Sequence, residues 1–429
     1  MATVVHPIGR SRWTAARTER GAERLAVGAV MVAIVMLPLL EPTGPGNSGP
    51  VDVAIAAALV VTLLWAVTTG PRLHLPYAIS VAILAAAGAL SALLGDFPYE
   101  GLVALVQEVT LLAWCAAIAN LARSPAALKS VLGAWSWSAI AWASVLVVSA
   151  TAGWELAGVE SSDGTRAALT FGNSNLAASY FVLSLMVILA SGRPRNVVLR
   201  AAGSVMVVVA LVLTGSLAGF LGLVVALAVA AVAATSRRAG PLAATALLVG
   251  LLVAGGIGAV VAARYDAAGT ARSSQNLLLR SSLGRGPESA SERATLLEEQ
   301  IELFTTGDLL GRGPASTKST LESLQAPYPR EAHNDYLAAL IERGAIGAVG
   351  MVLLIGAVAM RAGGIVGSLV PSFRRSLATT APLVGALVAA GVMAFSHEVL
   401  HQRHLWALLG VVAAIHLWGR MPGARELSR

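Results

Sequence analysis

An all-α fold that crosses a membrane about twelve times is what this sequence predicts. Three observations predict it. The residues AVILMFWYC make up 56% of the 429 positions against 12% for DEKR, a balance in which a soluble domain lacks the charge to cover its own surface. The apolar residues fall in evenly spaced runs of roughly 17–23, each able to span about 30 Å of hydrocarbon as a helix. The short connections alternate between Arg-bearing and acidic, as cytoplasmic and external loops do. A membrane barrel is excluded, because it would show roughly ten-residue alternation and none is visible.

The first run, 25–40, follows Arg10, Arg12, Arg17, Arg20 and Arg24 and so imitates a secretory signal. No small-x-small cleavage site comes after it. The chain continues into Glu41-Pro42-Thr43-Gly44-Pro45, which reads as the loop after an uncleaved first helix. Further runs lie at 51–69, 76–94, 101–122, 127–150, 175–191, 197–214, 216–234 and 241–263, and the last ones at 337–360, 376–396 and 403–419.

Lys and Arg in short loops are retained in the cytoplasm, so their positions set the sidedness. Arg72; Arg123 and Lys129; Arg193, Arg195 and Arg200; Arg237 and Arg238; and Arg361, Arg374 and Arg375 mark one side, together with the tail residues Arg420, Arg425 and Arg429. Glu41, Asp52, Asp96, Glu100, Glu155, Glu160 and Asp163 mark the other, where only Arg166 and Arg403 go against the trend. With the N-terminus inside, the expected organisation follows. Residues 1–24 form a cytoplasmic segment and 25–263 form helices one to nine. Residues 264–335 form a long external loop that carries the chemistry, 336–419 form helices ten to twelve, and 420–429 form a cytoplasmic tail.

The formal charge of +7 does not indicate nucleic acid, because the arginines sit in short clusters between apolar runs rather than on one amphipathic face. The single cysteine, Cys115, lies inside an apolar run, which leaves no internal disulfide and no redox pair. No cofactor or metal is expected.

The external loop carries Arg264, Arg272, Arg280 and Arg285, then Ser291-Glu292-Arg293-Ala294-Thr295-Leu296-Leu297-Glu298-Glu299, which reads as a short amphipathic helix on the membrane face with Arg293 near its start. Gly311-Arg312-Gly313-Pro314 reads as a tight turn. Next comes Ala332-His333-Asn334-Asp335-Tyr336-Leu337, leading into Leu340-Ile341-Glu342-Arg343-Gly344-Ala345-Ile346-Gly347. A histidine just before a helix that opens with Asn-Asp is well placed at a membrane-water boundary to accept a proton from a hydroxyl. Arginines nearby suit a pyrophosphate, which they hold by bidentate hydrogen bonds. The bland readings stand beside these: His333 as a helix-capping interfacial residue, Arg293 as a headgroup contact, and Asn173 and Asn175 as caps of the helix they precede. Glu108 lies inside the fourth run, where an ionisable group needs a partner or a function.

Four segments resemble the bacterial O-antigen ligase and Wzy-type polymerase family: Leu169-Thr170-Phe171-Gly172-Asn173-Ser174-Asn175; Thr214-Gly215-Ser216; Ser291-Glu292-Arg293 with Gly311-Arg312-Gly313; and His333-Asn334 with Leu337, Leu340, Glu342, Gly344 and Gly347. The resemblance is firmest across 165–360. It implies a GT-C-like membrane glycosyltransferase that transfers or polymerises an undecaprenyl-pyrophosphate-linked glycan on the outer face of the bacterial cytoplasmic membrane, with a glycan, lipid or protein as acceptor. In that scheme His333 matches the histidine that activates the acceptor hydroxyl, and Arg293 the loop arginine that stabilises the leaving pyrophosphate. Arg166, Arg280, Arg285, Asn173, Asn175 and Asn334 are the expected substrate-binding residues. The family commonly has Ser-Arg at the junction where this chain reads Ser216-Leu217, so Arg166, Arg280 or Arg285 takes over that role, or the activity differs from that of the ligases.

Two other classes compete. His397-Glu398-Val399-Leu400-His401 is a literal HExxH, which on a helix presents two zinc ligands and a base, as in a membrane metalloprotease. Its third ligand is in question, since His404 is too close and His416 lies far along the last helix. A flippase or transporter for lipid-linked sugars would hold charges at mid-bilayer, and apart from Glu108 the runs have almost none.

Overall fold

The computed structural model describes residues 9–41, 48–154, 159–160, 166–276, 279–280, 282–284, 286–307, 309–327, 329–367 and 369–419. Arg285 and the tail 420–429 lie outside the described residues. The fold is α-helical, and its only described strand pairing is the two-residue ladder of β1 (Val159–Glu160) with β2 (Arg166–Ala167).

In chain order the helices are α1 (Gly9–Val35), α2 (Pro50–Thr69), α3 (Ala78–Leu94), α4 (Pro98–Leu121), α5 (Pro125–Ala152), α6 (Ser174–Ser191), α7 (Val197–Leu213), α8 (Leu217–Arg264), α9 (Ala267–Arg272), α10 (Gly286–Thr305), α11 (Thr317–Ser323), α12 (Asp335–Val366), α13 (Pro371–Arg374), α14 (Ala381–Met393) and α15 (Arg403–Trp418). Prolines at the first turn start α2, α4 and α5, where the missing N–H has no partner to lose. Side-chain oxygens cap α5, α6, α7, α8 and α12, from Ser124, Asn173, Asn196, Ser216 and Asn334.

Six of the described helices, Pro50–Thr69, Pro98–Leu121, Pro125–Ala152, Ser174–Ser191, Leu217–Arg264 and Asp335–Val366, are long and apolar enough to cross a membrane, and four more apolar helices are 10–17 residues long. This is a multi-pass membrane protein. Its outward side chains are apolar where a soluble protein would be charged: Val53, Val67, Leu252 and Val352 are all more than 60% exposed. Inside the bundle α6 is covered almost all round, with Tyr180 and Phe181 fully buried.

Two boundaries differ from the sequence expectation. The first helix begins at Gly9, inside the basic segment, and ends at Val35, because Pro38 cannot continue it. The runs expected at 216–234 and 241–263 fall in one assigned helix, α8, broken at Gly240 (φ 85°, ψ 173°) immediately before Pro241. The bend has a local cause, since proline removes a hydrogen bond and clashes with the preceding turn.

Contacts between connections sort into two ends. At one end Arg123 pairs with Glu23, Asn120 receives the His74 amide, Arg237 donates to Thr380 and Val370 N–H meets the Gly419 carbonyl. At the other end the Glu41 amide meets the Thr170 carbonyl, Arg403 pairs with Asp52, Arg166 reaches Thr214 and the Asp335 amide meets the Ala394 carbonyl. Each pair joins residues that the loop charges assign to the same side. The two basic exceptions, Arg166 and Arg403, are both tied to partners.

Candidate functional site

The polar end that holds Thr170, Thr214 and Asp335 is built from two clusters. The first forms at the α7–α8 junction. Thr214-Gly215-Ser216 turns the chain there, with Gly215 at φ +59°, and Ser216 Oγ caps α8 by accepting from the Gly219 amide at 3.1 Å. Arg166 of β2 crosses to this turn. Its Nε donates to the Thr214 carbonyl at 3.0 Å and its Nη2 to Asn175 Oδ1 at 3.3 Å. Ser216 Oγ donates to the same Asn175 oxygen at 2.7 Å. Three segments singled out in the sequence thus meet in one hydrogen-bonded group. Asn173 has a different position: its Oδ1 accepts from the Asn175 amide at 2.8 Å, so that oxygen caps α6.

The second cluster surrounds His333, which sits in the left-handed region at φ 46°. Gln300, two turns beyond Arg293 on α10, donates its side-chain amide to the Ala332 carbonyl and so holds the residue before the histidine. Asn334 Oδ1 accepts from the Tyr336 and Leu337 amides at 3.0 and 3.2 Å and caps α12. Asp335 is 3% exposed; its Oδ2 accepts from the Val399 and Leu400 amides at 2.8 and 3.0 Å, which laces the His333 turn to the 394–402 connection.

Helix α10 is longer than the sequence suggests, and Arg293 lies two turns into it. Its inner face explains the length: Leu296, Gln300 and Leu303, at i, i+4 and i+7, are buried, and the two leucines pack with Leu321 and Ile341. Arg293 is exposed on this helix, and its charge acts on both His333 and His397.

A hook locks the loop to α12. The Arg312 and Gly313 amides donate to the carbonyls of Ile341 and Glu342 at 3.1 and 2.9 Å, and the Ala345 amide to the Leu309 carbonyl at 2.9 Å. This pairing needs α12 to open, and it does so at Gly344 (φ 63°, ψ −163°), a conformation that favours glycine. A Cβ there would overlap the Leu309 carbonyl. Glu342 accepts from Thr317 Oγ1 at 2.7 Å and from the Ala315 amide at 2.9 Å. Its neighbour Arg343 pairs with Glu108 of α4, Nη1 to Oε2 at 2.8 Å. That pair accounts for the acid inside the fourth apolar run.

Burial is the main influence on His333 and holds its pKa below the ordinary 6.5; Glu331 opposes this, while Arg330 and Arg293 reinforce it. The imidazole is therefore neutral near pH 7 and able to accept a proton. Two apolar grooves flank the 394–402 connection. One, of about 340 Å³, runs along α12 and α14 past Leu354, Val358 and Leu387 to Tyr336 and Phe395, next to the His333 turn. The other, of about 480 Å³, runs between α2 and α4 past Ile55, Val103 and Val106 to Asp52, His401 and Arg403.

Arg280 is exposed on a turn whose Ser282 packs near Gly215, while Arg285 lies outside the described residues. The HExxH reading requires correction. Helix α14 ends at Met393 and α15 begins at Arg403, so His397 and His401 share no helical face, and among the described residues no three His, Cys, Asp or Glu are grouped to hold a metal. Sequence reasoning missed Arg343 as the partner of Glu108, and Asp335 as the residue that holds the 394–402 connection. A lone acid in an apolar run signals that a partner exists, but not which one.

The fold is a membrane helical bundle with a loop-built polar cluster at one end that holds His333 and lies beside two apolar grooves. Residues 202–352 match the family model described as O-antigen ligase, so this stretch of the chain is similar to an O-antigen ligase domain. That domain supports a glycosyl-transferring membrane enzyme of the glycan ligase or polymerase kind in general. The matched stretch contains the α7–α8 junction, Arg293, the Gly311–Gly344 hook and His333, whereas Arg166 and Asn175 lie before it. No curated protein matches the chain.

Proposed function

We propose that the protein transfers or polymerises a glycan carried on undecaprenyl pyrophosphate, at the outer face of the bacterial cytoplasmic membrane, with both chain ends in the cytoplasm and twelve spans. The observation that supports this reading is that Gln300, two turns beyond Arg293 on α10, holds the Ala332 carbonyl next to His333, which ties the arginine-bearing helix to the histidine turn although the two residues lie forty positions apart.

The reaction breaks the bond between the anomeric carbon and the pyrophosphate oxygen and forms one from that carbon to an acceptor hydroxyl oxygen. His333 takes the hydroxyl proton, and the departing pyrophosphate keeps the bonding electron pair. Arg293 stabilises the charge that develops there, preorganised help worth ~3 kcal/mol per donor. Arg166 stands at the junction where the family commonly carries its second arginine, and we assign it that role. The groove along α12 and α14 suits the polyprenyl chain, because its lining is mostly apolar and it ends at Asp335 and Tyr336, on the first turn of the helix that follows His333. Asn173 and Asn334 serve through helix capping, and Asn175 through holding Arg166.

The test is a glycan-length profile of a deletion strain complemented with variants. His333→Ala and Arg293→Ala are expected to abolish transfer while the protein still inserts in the membrane. Full transfer by His333→Ala would defeat the reading. In the deletion strain, loss of long chains with single repeats retained means polymerase, and accumulation of long lipid-linked chains means ligase.

A further inference from the structure

The residue that the HExxH motif brought forward has a place in the site after all. His397 is 3% exposed, and its Nε2 is enclosed without a hydrogen-bond partner among the described residues. An orphaned polar atom in a protein interior calls for an explanation, since desolvating it without a partner is unfavourable. The surroundings supply one. Asp335 pins the backbone just beyond His397 by accepting from the Val399 and Leu400 amides, and its own amide fixes Ala394 just before it. The ring is thus held on a connection laced to the His333 turn, within the field of both His333 and Arg293.

The hydrogen bonds also assign the tautomer. Ser396 Oγ donates its one hydrogen to the Met393 carbonyl at 2.9 Å, so in its 3.3 Å contact with His397 Nδ1 the ring nitrogen is the donor. Nε2 therefore carries a lone pair. Burial, with His333 and Arg293 adding to it, pushes the His397 pKa down to about 4, so the ring stays neutral.

We propose that His397 Nε2 accepts a hydrogen bond from a hydroxyl of the acceptor sugar, next to the hydroxyl that His333 deprotonates, and so selects and orients the acceptor. This rests on the transferase reading above. A buried acceptor nitrogen is left unpaired by any sugar that lacks the hydroxyl, which is how such a contact discriminates.

The experiment uses the full chain in detergent, with undecaprenyl-pyrophosphate-linked glycan extracted from deletion cells as donor and the acceptor fraction of their membranes as the varied substrate. In His397→Asn the amide reaches only the Nδ1 position, so it keeps the Ser396 contact and loses the outward acceptor. His397→Gln places an amide oxygen near Nε2. The expected result is a rise of about tenfold or more in the acceptor half-saturation for the Asn variant, with donor half-saturation unchanged and most of the loss restored by Gln. Thermal unfolding of each variant checks that both fold. A native acceptor half-saturation in the Asn variant, or a change confined to the donor, overturns the inference. His333→Ala run in parallel separates the two failures: if it still transfers, the transferase reading itself has failed.

Discussion

Arg343 of α12 donates Nη1 to Glu108 Oε2 of α4 at 2.8 Å, and the two side chains are only 8% and 13% exposed. Breaking such a pair by removing one partner leaves an uncompensated charge, which destabilises by about 3–5 kcal/mol. Glu108→Ala is therefore expected to lower the unfolding temperature strongly. A double variant, Glu108→Met with Arg343→Met, which removes both charges and keeps the volume, should regain most of the loss. Thermal unfolding in detergent reads both, and equal destabilisation by the single and double variants would show that the ion pair is not what matters.

The rate of transfer should report the groups around His333. As a base it works in the neutral form, so activity is present above its pKa and is lost as pH falls through it. Glu331 raises that pKa and Arg330 lowers it. Glu331→Gln should move the acid limb of the pH profile to lower pH, and Arg330→Gln should move it to higher pH. Movement of both in the same direction would show that another group titrates in that limb.

Arg166 makes two directional bonds from one guanidinium, Nε to Thr214 and Nη2 to Asn175. A lysine carries the charge but cannot form that fork. Arg166→Lys is expected to recover only a small part of the transfer lost in Arg166→Ala, with both variants folded. Asn175→Ala should show an intermediate loss, because Arg166 keeps its Thr214 bond. Near-native transfer by Arg166→Ala would move the second arginine role to Arg280 or Arg285.

Sidedness is open to direct labelling, because the one native cysteine, Cys115, is fully buried and gives no background. Ser323→Cys, on an exposed residue of the loop before His333, should react in intact cells with a membrane-impermeant maleimide. Arg195→Cys, on the opposite end, should react only after permeabilisation. The reverse pattern would remove the basis for an undecaprenyl-dependent enzyme.

Hydropathy and loop charge are local properties, which is why windows of the sequence were enough to identify helices, to place runs within them and to sort the loops that later meet in space. The segments around Arg293, Gly311–Gly313 and His333 were also legible, because each is a short contiguous motif. The helix break at Gly344 was not visible in the apolar pattern of α12, since it exists to accept the amides of a loop some thirty residues earlier. Folding likewise decided that Arg166 reaches the α7–α8 junction, that Glu108 finds Arg343 and that His397 sits on a connection laced through Asp335 to the His333 turn rather than on a zinc-binding helix. These pairings join residues far apart in the chain. No periodicity within a helix encodes them, and they exist only once the bundle has packed and the charged groups have found partners in its polar end.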